Sequence, residues 1–186
     1  PSYGANVGIV QNDGRVEPQA FPVDYPRLAP CFVRPAANIS FDSIVLTSAA
    51  SLGKPTGTEE KPLVDIGSNP TNDWKLTVKD QAHSGFKADL IYYDPKGKLR
   101  FEYSGASDEL TDSISAVITD KDNVLKAYGQ IAKALPGNNT IEMVIPEQYT
   151  MYDHMYVFNE KINGDKETDY ASDLQEILYP NTWTQP

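Results

Sequence analysis

Asp165, Glu167 and Asp169 stand at every second position of NGDKETDYASDLQE (163–176), and Glu176 follows eleven residues after Asp165. Carboxylates spaced in this way are the skeleton of an EF-hand calcium loop, in which hard oxygen donors surround a hard cation. That loop also needs glycine at its sixth position for a sharp turn, and a helix on each side. Here the sixth position is Tyr170 and a strand pattern precedes it. What survives of the metal reading is a looser calcium site, with Asp165, Glu167 or Asp169 joined by carbonyl oxygens. The competing reading leaves these acids in water while Tyr170 and Leu174 turn inward to seat the last strand.

Aromatic residues supply a second chemical feature. Tyr149, Tyr152 and Tyr156, with Phe158, crowd QYTMYDHMYVF (148–158). Exposed, they would stack on a sugar or anchor a protein contact, so these three tyrosines are the ligand-binding candidates. Turned inward, they would fill a core, one of them as a corner tyrosine bonded to the backbone.

No catalytic residue is expected. A Ser or Cys nucleophile needs a base within hydrogen-bond reach, and the two histidines sit in a turn (His83 in QAHSG) and at the start of a strand (His154). There is no GxSxG elbow, no phosphate-cradling GxxxxGK[ST] or GxGxxG behind a strand, and no zinc spacing. The 26 acids allow many spatial pairs of the glycosidase kind, but abundance is no evidence for one. Cys31, the only cysteine, forms no intrachain disulfide and reads as a small buried hydrophobe between Pro30 and Phe32. One covalent option is a staple between Lys75 or Lys79 and Asn159 beside a glutamate, which would release one ammonia.

The elements that must position these groups are strands. KLTVKD (75–80) sets Leu76 and Val78 on one face and Lys75, Thr77 and Lys79 on the other. FKADLIYY (86–93) places Phe86, Ala88, Leu90 and Tyr92 together. KLRFEY (98–103) does the same with Leu99, Phe101 and Tyr103, after a DPKG turn (94–97). SISAVITD (113–120), VLKAYGQIA (124–132), TIEMVIP (140–146) and HMYVFNEKI (154–162) follow, separated by DKDN (120–123) and LPGNN (135–139). DYASDLQEIL (169–178) keeps helical spacing at Tyr170, Leu174 and Ile177, yet a final edge strand suits the pattern better. About seven or eight short strands over roughly 105 residues predict an all-β, immunoglobulin-like antiparallel β-sandwich at 73–180, with residues 181–186 as a tail.

Ahead of it, GKPTGTEEKPLVDIGSNPTND (53–73) has the proline and glycine content of a linker, placed at 53–72. ANVGIVQNDGRVEP (5–18) reads as a hairpin about an Asn12-Asp13-Gly14 turn, and PCFVRPAANISFDSIVL (30–46) as extended structure. By itself this N-terminal extended or β segment is too short to bury a convincing core.

The 186 residues carry a formal charge of −10. Residues 1–52 balance Arg15, Arg27 and Arg34 against Asp13, Glu17, Asp24 and Asp42, so the acid excess lies almost wholly beyond them. An acidic surface repels phosphate backbones and anionic lipid, which argues against nucleic acid and membrane-surface partners. No apolar run is long enough to insert into a membrane as a helix. A chain opening on Pro rather than Met is expected of one cut from a longer precursor, so a missing signal peptide says little.

DWKLTVKDQAHSGF (73–86) and YVFNEKINGDKETDYASDLQEI (156–177) resemble the two ends of an immunoglobulin-like repeat in modular exported proteins of Gram-positive, gut-type bacteria. ANVGIVQNDGRV (5–16) with FVRPAANISFDSIVLTSAA (32–50) is similar to the closing strands of the C-type-lectin-like domain that often precedes that repeat, a domain distantly similar in fold to the formylglycine-generating enzyme. Only the tail of such a domain would be present, at 1–52, and one cysteine cannot supply the cysteine-pair chemistry of those enzymes. The resemblance implies a secreted or cell-surface, non-catalytic binding or adhesion module whose ligand is a glycan or a host protein. It implies no cofactor beyond the calcium weighed above. The alternatives are a purely structural spacer and an accessory fragment of a larger enzyme.

Overall fold

The computed structural model describes residues 6–10, 16–22, 40–50, 54–66, 73–94, 96–109, 111–149, 153–164 and 167–178. The chain divides into two compact units, 1–38 and 39–186. In the first, β1 (Asn6–Val10) pairs antiparallel with β2 (Val16–Pro22), from Asn6 opposite Pro22 to Val10 opposite Val16, with a register shift between Val7 and Ile9. This is the pairing expected of a hairpin; its Asn12-Asp13-Gly14 turn lies outside the described residues, as does Cys31.

The second unit is all-β. Its only described helices are 3-10 turns at Phe41–Ser43 and Gln81–His83. Its strands are β3 (Ile44–Ala49), β4 (Val64–Asp65), β5 (Trp74–Lys79), β6 (Lys87–Tyr93), β7 (Lys98–Ser104), β8 (Asp112–Thr119), β9 (Leu125–Lys133), β10 (Asn139–Val144), β11 (His154–Lys161), β12 (Asp169–Ala171) and β13 (Gln175–Leu178). One sheet has the order β10-β7-β6 and is antiparallel. In β7 the period-two pattern holds: Leu99, Phe101 and Tyr103 are buried, while Lys98, Arg100 and Glu102 are exposed. In β6 it breaks. The register shifts between Leu90 and Tyr92, so Tyr92, expected inward, faces solvent, and Tyr93 packs on the core instead. The β6–β7 turn is tied by Asp94 Oδ1, which accepts from the Lys96 and Lys98 amides at 2.9 Å. Gly97 (φ 82°) closes it, where a Cβ would stand 2.8 Å from the Ile145 carbonyl oxygen.

The larger sheet runs β3-β5-β12-β11-β8-β9-β4, with β13 continuing the β12 position along β11. All its pairings are antiparallel except β5 with β12. Between the sheets lies the main core. Phe86, Leu99, Phe101, Ile141 and Met143 meet Ile114, Ala116, Ile118, Met155 and Val157 there. Burying each large apolar side chain stabilises the fold by about 1.5–3 kcal/mol.

Every residue of β8 is buried, because both faces of the large sheet are covered at this strand. The sheet curls, and its second face encloses a smaller core of Leu46, Val117, Tyr128, Phe158 and Ala171, with Val45 and Ile66 packed against it.

Three sequence expectations need correction. Segment 40–66, read as the end of a lectin-like tail and a linker, contributes β3 and β4 to the large sheet, and the unit boundary falls at 38/39 rather than after residue 52. In β5 the faces are reversed: Lys75 and Thr77 are buried, and Leu76 and Val78 are only half-buried. The reason is that Lys75 meets a buried carboxylate across the curled face. Finally, the one edge strand expected over 169–178 is split in two: β12 lies between β11 and β5, whereas β13 ends the chain's pairing on β11.

Candidate functional site

Inside the curl, on the face opposite the main core, four charged side chains are almost wholly removed from water. Alternation along β11 turns Tyr156, Phe158 and Glu160 to this face and Met155, Val157 and Asn159 to the other. Glu160 thus arrives in line with two aromatics, and it is 0% exposed. β12 brings Asp169, also 0% exposed, β5 brings Lys75, and the bend after β3 brings Lys54.

Lys54 Nζ pairs with Glu160 Oε1 and lies 2.8 Å from Asp169 Oδ2. Lys75 Nζ lies 2.7 Å from Asp169 Oδ1 and donates to the Asn163 carbonyl at 2.8 Å and the Gly164 carbonyl at 3.1 Å. The Asn163 amide donates to Asp169 Oδ1 at 2.7 Å. Glu160 Oε2 accepts from Ser115 Oγ at 2.8 Å and from the Tyr128 hydroxyl at 2.7 Å. Lys54 Nζ also stands 5.5 Å from the centroid of the Tyr128 ring, a cation–π distance. Burial, and then the Glu160 charge, push the Tyr128 hydroxyl well above its ordinary range. Two cations and two anions thus balance, with every carboxylate oxygen engaged. Removing one partner would leave its mate charged and dry, the costly case for a buried pair.

Of the predicted site residues, Asp169 belongs to this cluster. Tyr149 is 6% exposed, packs on the main core and donates to Asp65 Oδ1 at 3.1 Å; burial, then that hydrogen bond, push its hydroxyl up to about 12. Tyr156 is half-buried against the second core, its ring stacked on His154 at 6.1 Å. Those two tyrosines lie on opposite faces of the large sheet and build no common platform, while Tyr152 lies outside the described residues. Of the calcium candidates, Asp165 is also outside them, Glu167 is exposed, and Asp169 is held by both lysines and the Asn163 amide. Among the described residues no group of three or more His, Cys, Asp or Glu side chains is arranged to hold a metal ion.

The staple imagined between Lys75 or Lys79 and Asn159 is not assembled. Asn159 points to the other face of β11, where its Oδ1 accepts from the Ser107 amide at 2.7 Å and its Nδ2 donates to the Ser113 carbonyl at 3.1 Å. Lys79 pairs with Asp173 at 2.7 Å on the surface. His83 is buried with both ring nitrogens toward carboxylates, Nδ1 at 3.2 Å from Asp80 Oδ2 and Nε2 at 3.4 Å from Asp112 Oδ2.

Lys54 and Glu160 escaped sequence reasoning. Lys54 hid in a segment read as linker. Glu160 did carry a signal, since period two places it on the same face as Tyr156 and Phe158, where a lone acid demands a partner. Compared with protein-family models, curated proteins and solved structures, the chain matches none.

Proposed function

We propose that this chain is a non-catalytic, load-bearing spacer module of a modular secreted or cell-surface bacterial protein, built on an immunoglobulin-like sandwich. The observation that carries the reading is the inward-turned network of Lys54, Lys75, Glu160 and Asp169. It ties the segment after β3 to β5, β11 and β12, and spends the best-organised polar groups on holding strands together rather than on meeting a ligand. Strand order supports the immunoglobulin-like part. β6, β7 and β10 follow the neighbour order A-B-E, and β9, β8, β11 and β12 follow C′-C-F-G, with the chain crossing between sheets after β7, after β9 and after β10. The separation of Tyr149 from Tyr156 weighs against the adhesion reading, in which a glycan or host protein would dock on an aromatic cluster. For unit 1–38, the tail of a lectin-like domain remains our reading, resting on sequence resemblance alone.

A glycan array together with a panel of host extracellular proteins tests this. A spacer gives no saturable binding. Saturable binding that is lost on Tyr156→Ala would replace the spacer with an adhesion module.

A further inference from the structure

We propose that Lys54 and Asp169 become joined by an intramolecular amide bond, formed inside the curled sheet with Glu160 as the proton carrier. The geometry divides the labour among the atoms of the cluster. Lys54 Nζ, the nucleophile, lies 2.8 Å from Asp169 Oδ2, on the edge of the carboxyl group it would attack. Asp169 Oδ1, the oxygen the product keeps, is gripped by Lys75 Nζ at 2.7 Å and by the Asn163 amide at 2.7 Å, two donors aimed at the atom on which negative charge gathers as the carbonyl carbon becomes tetrahedral. Glu160 Oε1 is paired with the attacking nitrogen, while Ser115 and Tyr128 fix its other oxygen and hence its orientation.

The step balances without any co-reactant. Lys54 begins as an ammonium and Asp169 as a carboxylate. One ammonium proton passes to Glu160, freeing the nitrogen lone pair. Nζ adds to Cγ of Asp169, and a second proton leaves nitrogen as the C–N bond forms. Both protons are delivered to Oδ2, the Cγ–Oδ2 bond breaks, and water departs. Glu160 starts and ends as a carboxylate, nothing is oxidised or reduced, and the amide nitrogen keeps the third proton.

Two physical arguments favour the bond over a permanent ion-pair cluster. Condensation to an amide is uphill in water because water competes, but here both reacting groups are held in contact by a folded sheet that excludes it. In addition, four buried charges carry a desolvation penalty that the reaction halves: Lys54 and Asp169 become neutral, while Lys75 and Glu160 remain as a balanced pair. The cross-link would join residues 115 positions apart and enclose β4 to β11 in one covalent loop. It stands or falls independently of the spacer reading, since a bonded module could still bind a ligand.

The test is the intact mass of the purified chain under denaturing conditions, followed by tandem mass spectrometry of a proteolytic digest. The expected result is a mass lower than the sequence mass by one water, with a branched peptide joining the segments that contain Lys54 and Asp169. Lys54→Arg, Asp169→Ala and Glu160→Gln should each show the full mass of their own sequences, a readout that does not require the variants to fold. A wild-type chain at its full sequence mass overturns the proposal. So does a water loss that persists in Lys54→Arg, or one mapped to any other pair, including Lys75 with Asp169 or Lys54 with Glu160. A cross-link that forms undiminished in Glu160→Gln overturns the role given to Glu160.

Discussion

Tyr128→Phe tests whether the cluster inside the curl is as dry as its geometry implies. The substitution keeps the ring, and with it the contacts to Leu46, Val117 and Phe158, and removes only the hydroxyl that donates to Glu160 Oε2 at 2.7 Å. A hydrogen bond to a charged acceptor contributes about 1.5–3 kcal/mol. For a unit of this size each kcal/mol moves the melting temperature by roughly 2–4 °C, so the expected drop is about 3–12 °C. Ser115 donates to the same oxygen at 2.8 Å, which makes the pair a natural double-mutant cycle. Either single change leaves Oε2 one donor, whereas Tyr128→Phe with Ser115→Ala leaves it none in the described network. The double variant should therefore lose about 0.5–3 kcal/mol more than the sum of the singles. Urea unfolding at matched m-values measures all four proteins, with the intact mass of each checked first so that stabilities are compared within one covalent state. If Tyr128→Phe costs less than about 0.5 kcal/mol and the cycle closes additively, water reaches Glu160 and the picture of a sealed charge cluster is wrong.

Further outcomes follow from other contacts. Gly129→Ala would set a Cβ 2.1 Å from the Pro62 carbonyl oxygen, which is backbone and cannot swing aside; the β4–β9 pairing should loosen at a cost of about 1–3 kcal/mol, with faster amide exchange at Ile66, whose N–H bonds to the Lys126 carbonyl. Tyr149 titrates near 10 when unfolded and about 12 when folded, so its stabilisation is complete below the unfolded value and is lost as pH rises through the folded one; the stability gap between wild type and Tyr149→Phe should shrink across that alkaline window, and a gap constant with pH would disprove the buried bond to Asp65. Calcium should leave the melting temperature unchanged, because Asp169 is already held by two lysines; a true site would add about 2.7 kcal/mol at a hundredfold excess over its dissociation constant.

How far the sequence could be read depends on which forces were local. Period two in β7 and β10 follows from a core on one face and water on the other, and β7, β8, β10 and β11 all stand within a residue or two of where the sequence pattern puts them. β5 misled because alternation names two faces without saying which is inside. Leu76 and Val78 looked like the core face, but the curl of the sheet buried Lys75 and Thr77 instead, and no window of six residues contains the curl. The cluster was hidden for the same reason at longer range. Lys54 and Asp169 are 115 residues apart, and Lys54 lies in a proline- and glycine-rich stretch whose local chemistry is that of a connection. The alternating acids of NGDKETDYAS show both outcomes within three positions: Glu167 stays in water, whereas Asp169 is drawn inside by the partner that neutralises it. An acid's spacing therefore says which neighbours share its face, but only the arrival of a cation from a distant segment decides whether that face can be buried.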